Sequence, residues 1–309
     1  MTPTKKIALG LLVCLPLMAA LMACSPLGTI NALASGRASQ VSSDIAYGDN
    51  RRQRLDIYAP RNDAASAPVL VFFYGGNWTE GKRADYAFVG HALAARGIVA
   101  VIADYRLYPE VHYPGVLEDS AAAVAWTVRE IGRYGGDPTR LFVMGHSAGA
   151  YNASMVALDP TLLAKHGLKP SSLRGWIGLA GPYDFIPIEN KTVRPVFYFP
   201  NTPKESQPIN HVSAAAPPAL LIAAQNDKLV NPVRNTGGMA AALRGKGAAV
   251  TEYYFGNVSH ASLIGSLAGP LRMLAPTLDT IVHFVEHDGG RIAGQFGTVS
   301  GATPALPRQ

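Results

Sequence analysis

Ser147 is the residue around which chemistry can be built. A serine hydroxyl is a poor nucleophile at neutral pH, so it needs a histidine to take its proton and an acid to orient that histidine. Ser147 stands in Gly145-His146-Ser147-Ala148-Gly149, after the apolar run Leu141 to Met144 and before the helix-favouring stretch Ala148 to Leu158. This is the form of a nucleophile elbow, a sharp strand-to-helix turn that holds its central side chain clear while glycines remove the bulk around it. Chance supplies such five-residue matches in chains rich in glycine and serine, and the flanking strand and helix are what give this one weight.

The histidines after the elbow are His166, His211, His260, His283 and His287. His260 alone lies in a loop just past an expected strand, in Phe255-Gly-Asn-Val-Ser-His, and is the candidate base. His283 and His287 fall on or at the end of a closing helix, where solvated or capping histidines are the ordinary reading, and His166 and His211 sit in polar connections. For the acid, Asp227 follows the apolar strand Leu220 to Ala224 in the order serine, acid, histidine. Asp184, after the preceding strand in Gly181-Pro-Tyr-Asp, is its rival. Donors for an oxyanion are expected at the Ala148 backbone N–H and in the loop Tyr74-Gly75-Gly76-Asn77-Trp78, where glycine lets main chain approach a substrate.

Elements at regular intervals would position these groups. A hairpin with arms Ile45 to Asp49 and Gln53 to Pro60 opens the folded region. Val69 to Tyr74, Ile98 to Ala103 and Arg140 to Met144 then read as strands, the first two near-continuous apolar runs of the kind buried on both faces. Helices are expected over residues 85–96, 117–133 and 148–158, further strands over 174–180, 219–224 and 250–255, and a closing helix over 271–285. Such alternation predicts an α/β fold, a mostly parallel central sheet with helices on both faces. Residues 181–217 break the rhythm with seven prolines and the aromatics Phe185, Phe197, Tyr198 and Phe199. They are expected to form a small cap-like insertion or pocket wall over the site.

Taken together, the glycine loop, Asp104-Tyr-Arg-Leu-Tyr-Pro-Glu, Gly136-Asp-Pro-Thr-Arg, Gly-His-Ser-Ala-Gly, Asp227 and His260 resemble the α/β-hydrolase fold serine esterases, near the hormone-sensitive-lipase and kynurenine-formamidase-like branches. The resemblance spans about residues 43–288. It implies Ser147 as nucleophile, His260 as base, Asp227 as orienting acid, and backbone N–H groups of Gly76, Asn77 and Ala148 as an oxyanion hole. It departs at Tyr74, where those branches usually carry histidine, and at Asn77, where glycine or an aromatic is common. The implied activity is cleavage of carboxylic esters of small to medium acyl or aryl groups through an acyl-enzyme. The alternatives are an arylformamidase-like amide hydrolase and a non-catalytic surface binding module on a hydrolase fold.

Composition bounds what else is possible. The 309 residues are 48% hydrophobic, enough for one sizeable core, and the net charge of +6 is scattered rather than striped, which argues against nucleic-acid binding. No nucleotide loop, cysteine cluster or His-Glu metal spacing is present in the sequence, so neither cofactor nor metal is expected. Lys5 and Lys6 precede the apolar run Ile7 to Ala23, the shape of a signal peptide rather than of a spanning helix, since the run is short and holds Pro16. Leu21-Met22-Ala23-Cys24 resembles the lipobox of bacterial lipoproteins, which implies cleavage before Cys24, lipid attachment there and anchoring in a bilayer, with Ser25 favouring the outer membrane. An ordinary cut before Ser35, releasing a soluble periplasmic or secreted chain, is the alternative. The expected layout is thus a leader over residues 1–23, a flexible tether over 24–43, the hydrolase domain over 44–290 and a tail over 291–309.

Overall fold

A computed structural model describes residues 26–33, 38–61 and 66–289; the leader, Cys24 and the tail lie outside them. Among these residues eight strands form one sheet: β1 (Ser39–Ala46), β2 (Arg54–Pro60), β3 (Ala67–Phe73), β4 (Val99–Ala103), β5 (Gly136–His146), β6 (Gly175–Leu179), β7 (Ala219–Ala224) and β8 (Val250–Phe255). Their spatial order is β1-β2-β4-β3-β5-β6-β7-β8. β1 and β2 pair antiparallel, as do β2 and β4, and every other neighbouring pair is parallel.

The helices are α1 (Pro26–Leu33), α2 (Ala87–Ala94), α3 (Gly115–Glu130), α4 (Ala148–Leu158), α5 (Pro160–Ala164), α6 (Gly238–Gly245), α7 (His260–Gly265) and α8 (Thr277–Glu286). α2 packs with α8, and α3 with α4. Strands β4, β6 and β7 are buried at every residue, as a sheet covered on both faces requires.

The topology makes the crevice. From β3 the chain crosses by α2 to β4 on one side, then returns by α3 over β3 to β5 on the other. β3 and β5 are neighbours, with Phe73 beside Gly145, and the segments leaving them turn to opposite faces. An open α/β sheet binds its ligands at such a switch point, outside the carboxyl ends of the strands.

Three expectations are corrected. The stretch expected as a tether over 24–43 contains helix α1, and β1 begins at Ser39 rather than near Ile45. α1 is held because Asn31 donates to the Ala84 carbonyl at 2.8 Å and accepts from Phe88 N–H at 2.9 Å, while Ile30 packs on the core. The closing helix starts at Thr277 rather than Leu271, after a separate turn over Gly269–Leu274 that precedes Pro276. The strand expected from Arg140 begins earlier, at Gly136.

Candidate active site

Ser147 leaves β5 with φ 55° and ψ −122°, a backbone state that non-glycine residues rarely adopt, and it costs about 1–3 kcal/mol. Its N–H is tied to Leu179 O of β6 at 2.9 Å, and Ala150 N–H returns to Ser147 O at 2.9 Å, so the turn is held from both ends. The glycines are obligatory for packing. A Cβ on Gly145 would overlap the Gly149 carbonyl, and one on Gly149 would overlap the carbonyls of Phe73 and Tyr74.

At the next edge of the sheet, β7 ends before Asp227 and β8 before His260. His260 opens α7 rather than lying in a loop; Ser259 caps that helix by accepting from Ser262 N–H. His260 Nδ1 donates to Asp227 Oδ2 at 2.7 Å. The other carboxylate oxygen of Asp227 accepts from Leu229 N–H at 2.8 Å and Val230 N–H at 3.0 Å. Burial alone would raise the carboxyl pKa, yet the imidazole and these two N–H groups hold it below its ordinary value. With Nδ1 committed to Asp227, Nε2 is the ring nitrogen left to exchange a proton.

Asp184 has another occupation. Its carboxylate pairs with the Arg234 guanidinium at 3.1 and 3.2 Å, and Arg234 also donates to Ile186 O at 2.6 Å. Of the other histidines, His211 donates to Glu205 O at 2.7 Å, and His287 to His283 O within the last helix at 2.8 Å.

A cavity of about 550 Å³ opens over this edge. Ser147, Ala148, Asn77 and Asp227 line it, with Trp78 and Phe185 on one wall and Asp184 and Arg234 on another. Residues 182–193 of the proline-rich segment supply much of its lining. That segment is irregular, with short turns over Arg194–Phe197, Lys204–Ser206 and Pro208–His211, but Tyr183, Val196 and Phe197 are fully buried and fix it to the body.

The loop after β3 is built on left-handed backbone: Gly76, Asn77 and Trp78 have φ of 125°, 53° and 60°. Gly76 O accepts from Thr79 N–H at 2.9 Å and Glu80 N–H at 3.1 Å. Tyr74, where the resemblance leads one to expect histidine, does its own bonding: its hydroxyl donates to Asp104 Oδ1 at 2.8 Å and accepts from Arg52 at 2.8 Å. Tyr105 in turn donates to Tyr74 O at 2.7 Å.

The BD-FAE family model matches residues 55–237, more than half of the chain. The chain belongs to the BD-FAE family. Among curated relatives, the esterase LipQ of Mycobacterium tuberculosis is 30% identical over 289 residues, 87% of this chain and 68% of that one. The isoprenylcysteine alpha-carbonyl methylesterase ICME of Arabidopsis thaliana is 27% identical over 82% of this chain, which spans 64% of the plant protein's length; of a probable rice homologue it spans 37%. The crystal structure of an inhibited esterase B from Lactobacillus rhamnosis shares the fold of this BD-FAE member with a TM-score of 0.71 at 18% identity, covering 90% of this chain and 96% of that one.

Three features of the BD-FAE site were not singled out in the sequence. His146 precedes Ser147 and Asn152 follows it, both polar residues in apolar surroundings, and Trp78 follows the glycine loop. Asn152 had a legible signal, an amide amid the alanines, Met155, Val156 and Leu158 of a mostly apolar helix.

Proposed function

We propose that this chain is a serine hydrolase that cleaves carboxylic esters of small to medium acyl or aryl groups. The observation that carries the reading is the 2.7 Å bond from His260 Nδ1 to Asp227 Oδ2, at the same sheet edge where Ser147 lines the cavity from its strained elbow. Ser147 Oγ attacks the ester carbonyl as His260 Nε2 takes its proton. The negative oxygen that forms would be met by the backbone N–H groups of Ala148, Gly76 and Asn77, the donors that the resemblance assigns to an oxyanion hole. His260 returns the proton to the leaving alcohol, and water then releases the acyl group by the same steps in reverse. Asp227, kept ionised by its two backbone donors, fixes the imidazole tautomer. The cavity volume suits a small molecule.

A fluorophosphonate probe tests this directly. Labelling of the wild-type protein that is lost in Ser147→Ala is expected, alongside turnover of p-nitrophenyl esters of graded chain length. Absence of labelling, or rapid cleavage of an N-formyl aryl amide with negligible ester turnover, would overturn the ester reading.

The sequence also supports export, with cleavage before Cys24 and lipid attachment at that thiol. The mass of the mature N-terminus decides it: a lipidated Cys24 is expected, and an unmodified chain beginning at Ser35 would defeat it.

A further inference from the structure

Asn77 and Trp78 hold consecutive left-handed conformations without being glycine. Something outside the loop must over-determine them, because both residues would relax to ordinary backbone if released. The structure offers one buried chain of contacts that does this. Trp78 Nε1–H donates to Asn152 Oδ1 at 2.9 Å, Asn152 Nδ2–H donates to Ser120 Oγ at 3.2 Å, and Ser120 Oγ–H donates to Val116 O at 2.9 Å. Asn152 and Ser120 are sealed from solvent at 0% exposure, and Trp78, at the cavity wall, is 2% exposed. The indole is also packed edge-on against Tyr151 at 5.0 Å and Phe197 at 4.8 Å. From the other side, Trp78 O accepts from Tyr108 N–H at 2.8 Å.

The position of Asn152 gives this chain its meaning. Asn152 stands on α4, the helix that begins at Ala148, one turn beyond the nucleophile. The N–H of Ala148 and the N–H groups of Gly76 and Asn77 come from segments far apart in sequence, and an oxyanion hole works only if their spacing is fixed before the reaction. We infer that Trp78, Asn152 and Ser120 are positioning residues that lock the loop after β3 to the nucleophile helix and so set the geometry of the oxyanion hole. The inference rests on the reading of Ser147 as nucleophile. None of the three is asked to touch the reacting atoms.

The test uses the full chain with Trp78→Phe, which keeps a ring but removes the N–H, Asn152→Leu, which removes the acceptor, and Asn152→Asp, which keeps an acceptor for the indole. Three quantities are read: kcat and KM on a p-nitrophenyl ester, the inhibition constant of an aryl trifluoromethyl ketone whose adduct carries an oxyanion, and the melting temperature. Trp78→Phe and Asn152→Leu are expected to lower kcat by about tenfold to a hundredfold at little changed KM. Ketone affinity should fall by the same factor, and Asn152→Asp, which keeps the indole's acceptor but not the donor to Ser120, should recover part of both. If Asn152→Leu fails to fold, Trp78→Phe carries the comparison. Folded variants with wild-type kcat, or a loss of kcat with no loss of ketone affinity, would overturn the inference while leaving the esterase reading intact. A wild-type protein inert to esters and to fluorophosphonate would remove both.

Discussion

The Nε2–H of His146 donates to the backbone carbonyl of His260 at 2.9 Å. The residue immediately before Ser147 therefore holds the main chain of the residue we propose as its base, across the gap between β5 and the start of α7. The two rings lie 4.9 Å apart. His146 Nδ1 is buried with no hydrogen-bond partner among the described residues, so the ring is neutral and its tautomer is fixed by the one bond it makes.

That arrangement predicts an acid-sensitive fold. Burial, reinforced by repulsion from His260, lowers the His146 pKa from 6.5 to about 3. Between those values the unfolded chain binds a proton that the folded chain refuses, so this contribution to stability is complete above about pH 6.5 and is lost as the pH falls toward 3. The slope is at most about 1.4 kcal/mol per pH unit. Melting temperatures across this range should fall less steeply for His146→Gln, which keeps a donor but cannot titrate.

The two candidate acids separate by substitution. Ser147→Ala should lower turnover by about a millionfold, and Asp227→Asn by about ten-thousandfold, through loss of the imidazole's orientation. Asp184→Asn should leave kcat close to wild type, because its carboxylate holds Arg234 on the pocket wall and no histidine. Turnover of p-nitrophenyl acetate by purified variants checks all three, and a dead Asp184→Asn beside an active Asp227→Asn would reverse the assignment.

Tyr74→Phe should cost about 1–3 kcal/mol in urea unfolding. It deletes the hydroxyl that bridges Arg52 and Asp104 in a buried setting. Asp104 keeps its bonds to the Arg83 backbone and guanidinium, so the protein should remain folded.

Two glycines predict opposite outcomes. Gly149→Ala forces a methyl into the backbone of Phe73 and should yield no folded protein, as read by circular dichroism. A Cβ on Gly132 would meet nothing within 4 Å, so Gly132→Ala should be neutral or stabilise by about 0.4–1 kcal/mol.

Much of this was legible in the chain because strand burial and turn chemistry are local signals. The apolar runs at β3, β4 and β7 and the punctuation of the elbow are written in neighbouring residues. Asp227 could be picked out beyond its strand for the same reason. Helix α1 was not legible: its eight residues are too few to show a period and include a glycine, and what holds it is Asn31 meeting residues 84 and 88. The bond between Trp78 and Asn152 was hidden likewise, since it joins residues 74 positions apart. The pocket wall could be located but not shaped, because residues 181–217 follow tertiary contacts rather than any period.

The sheet order carries a consequence for how the molecule comes to life. The strand that ends at Ser147 lies in the interior of the sheet, between β3 and β6, whereas Asp227 and His260 follow β7 and β8 respectively, toward the far edge. A chain folding as it is made can seat Ser147 early, yet on the proposed reading it would stay chemically silent until β8 has been added and α7 brings His260 to Asp227. The bond from His146 to the His260 carbonyl joins residues 114 positions apart, and contacts of such separation are among the slower to form. On that reading turnover would report completed folding, and a partly assembled chain would have a serine but no means to use it.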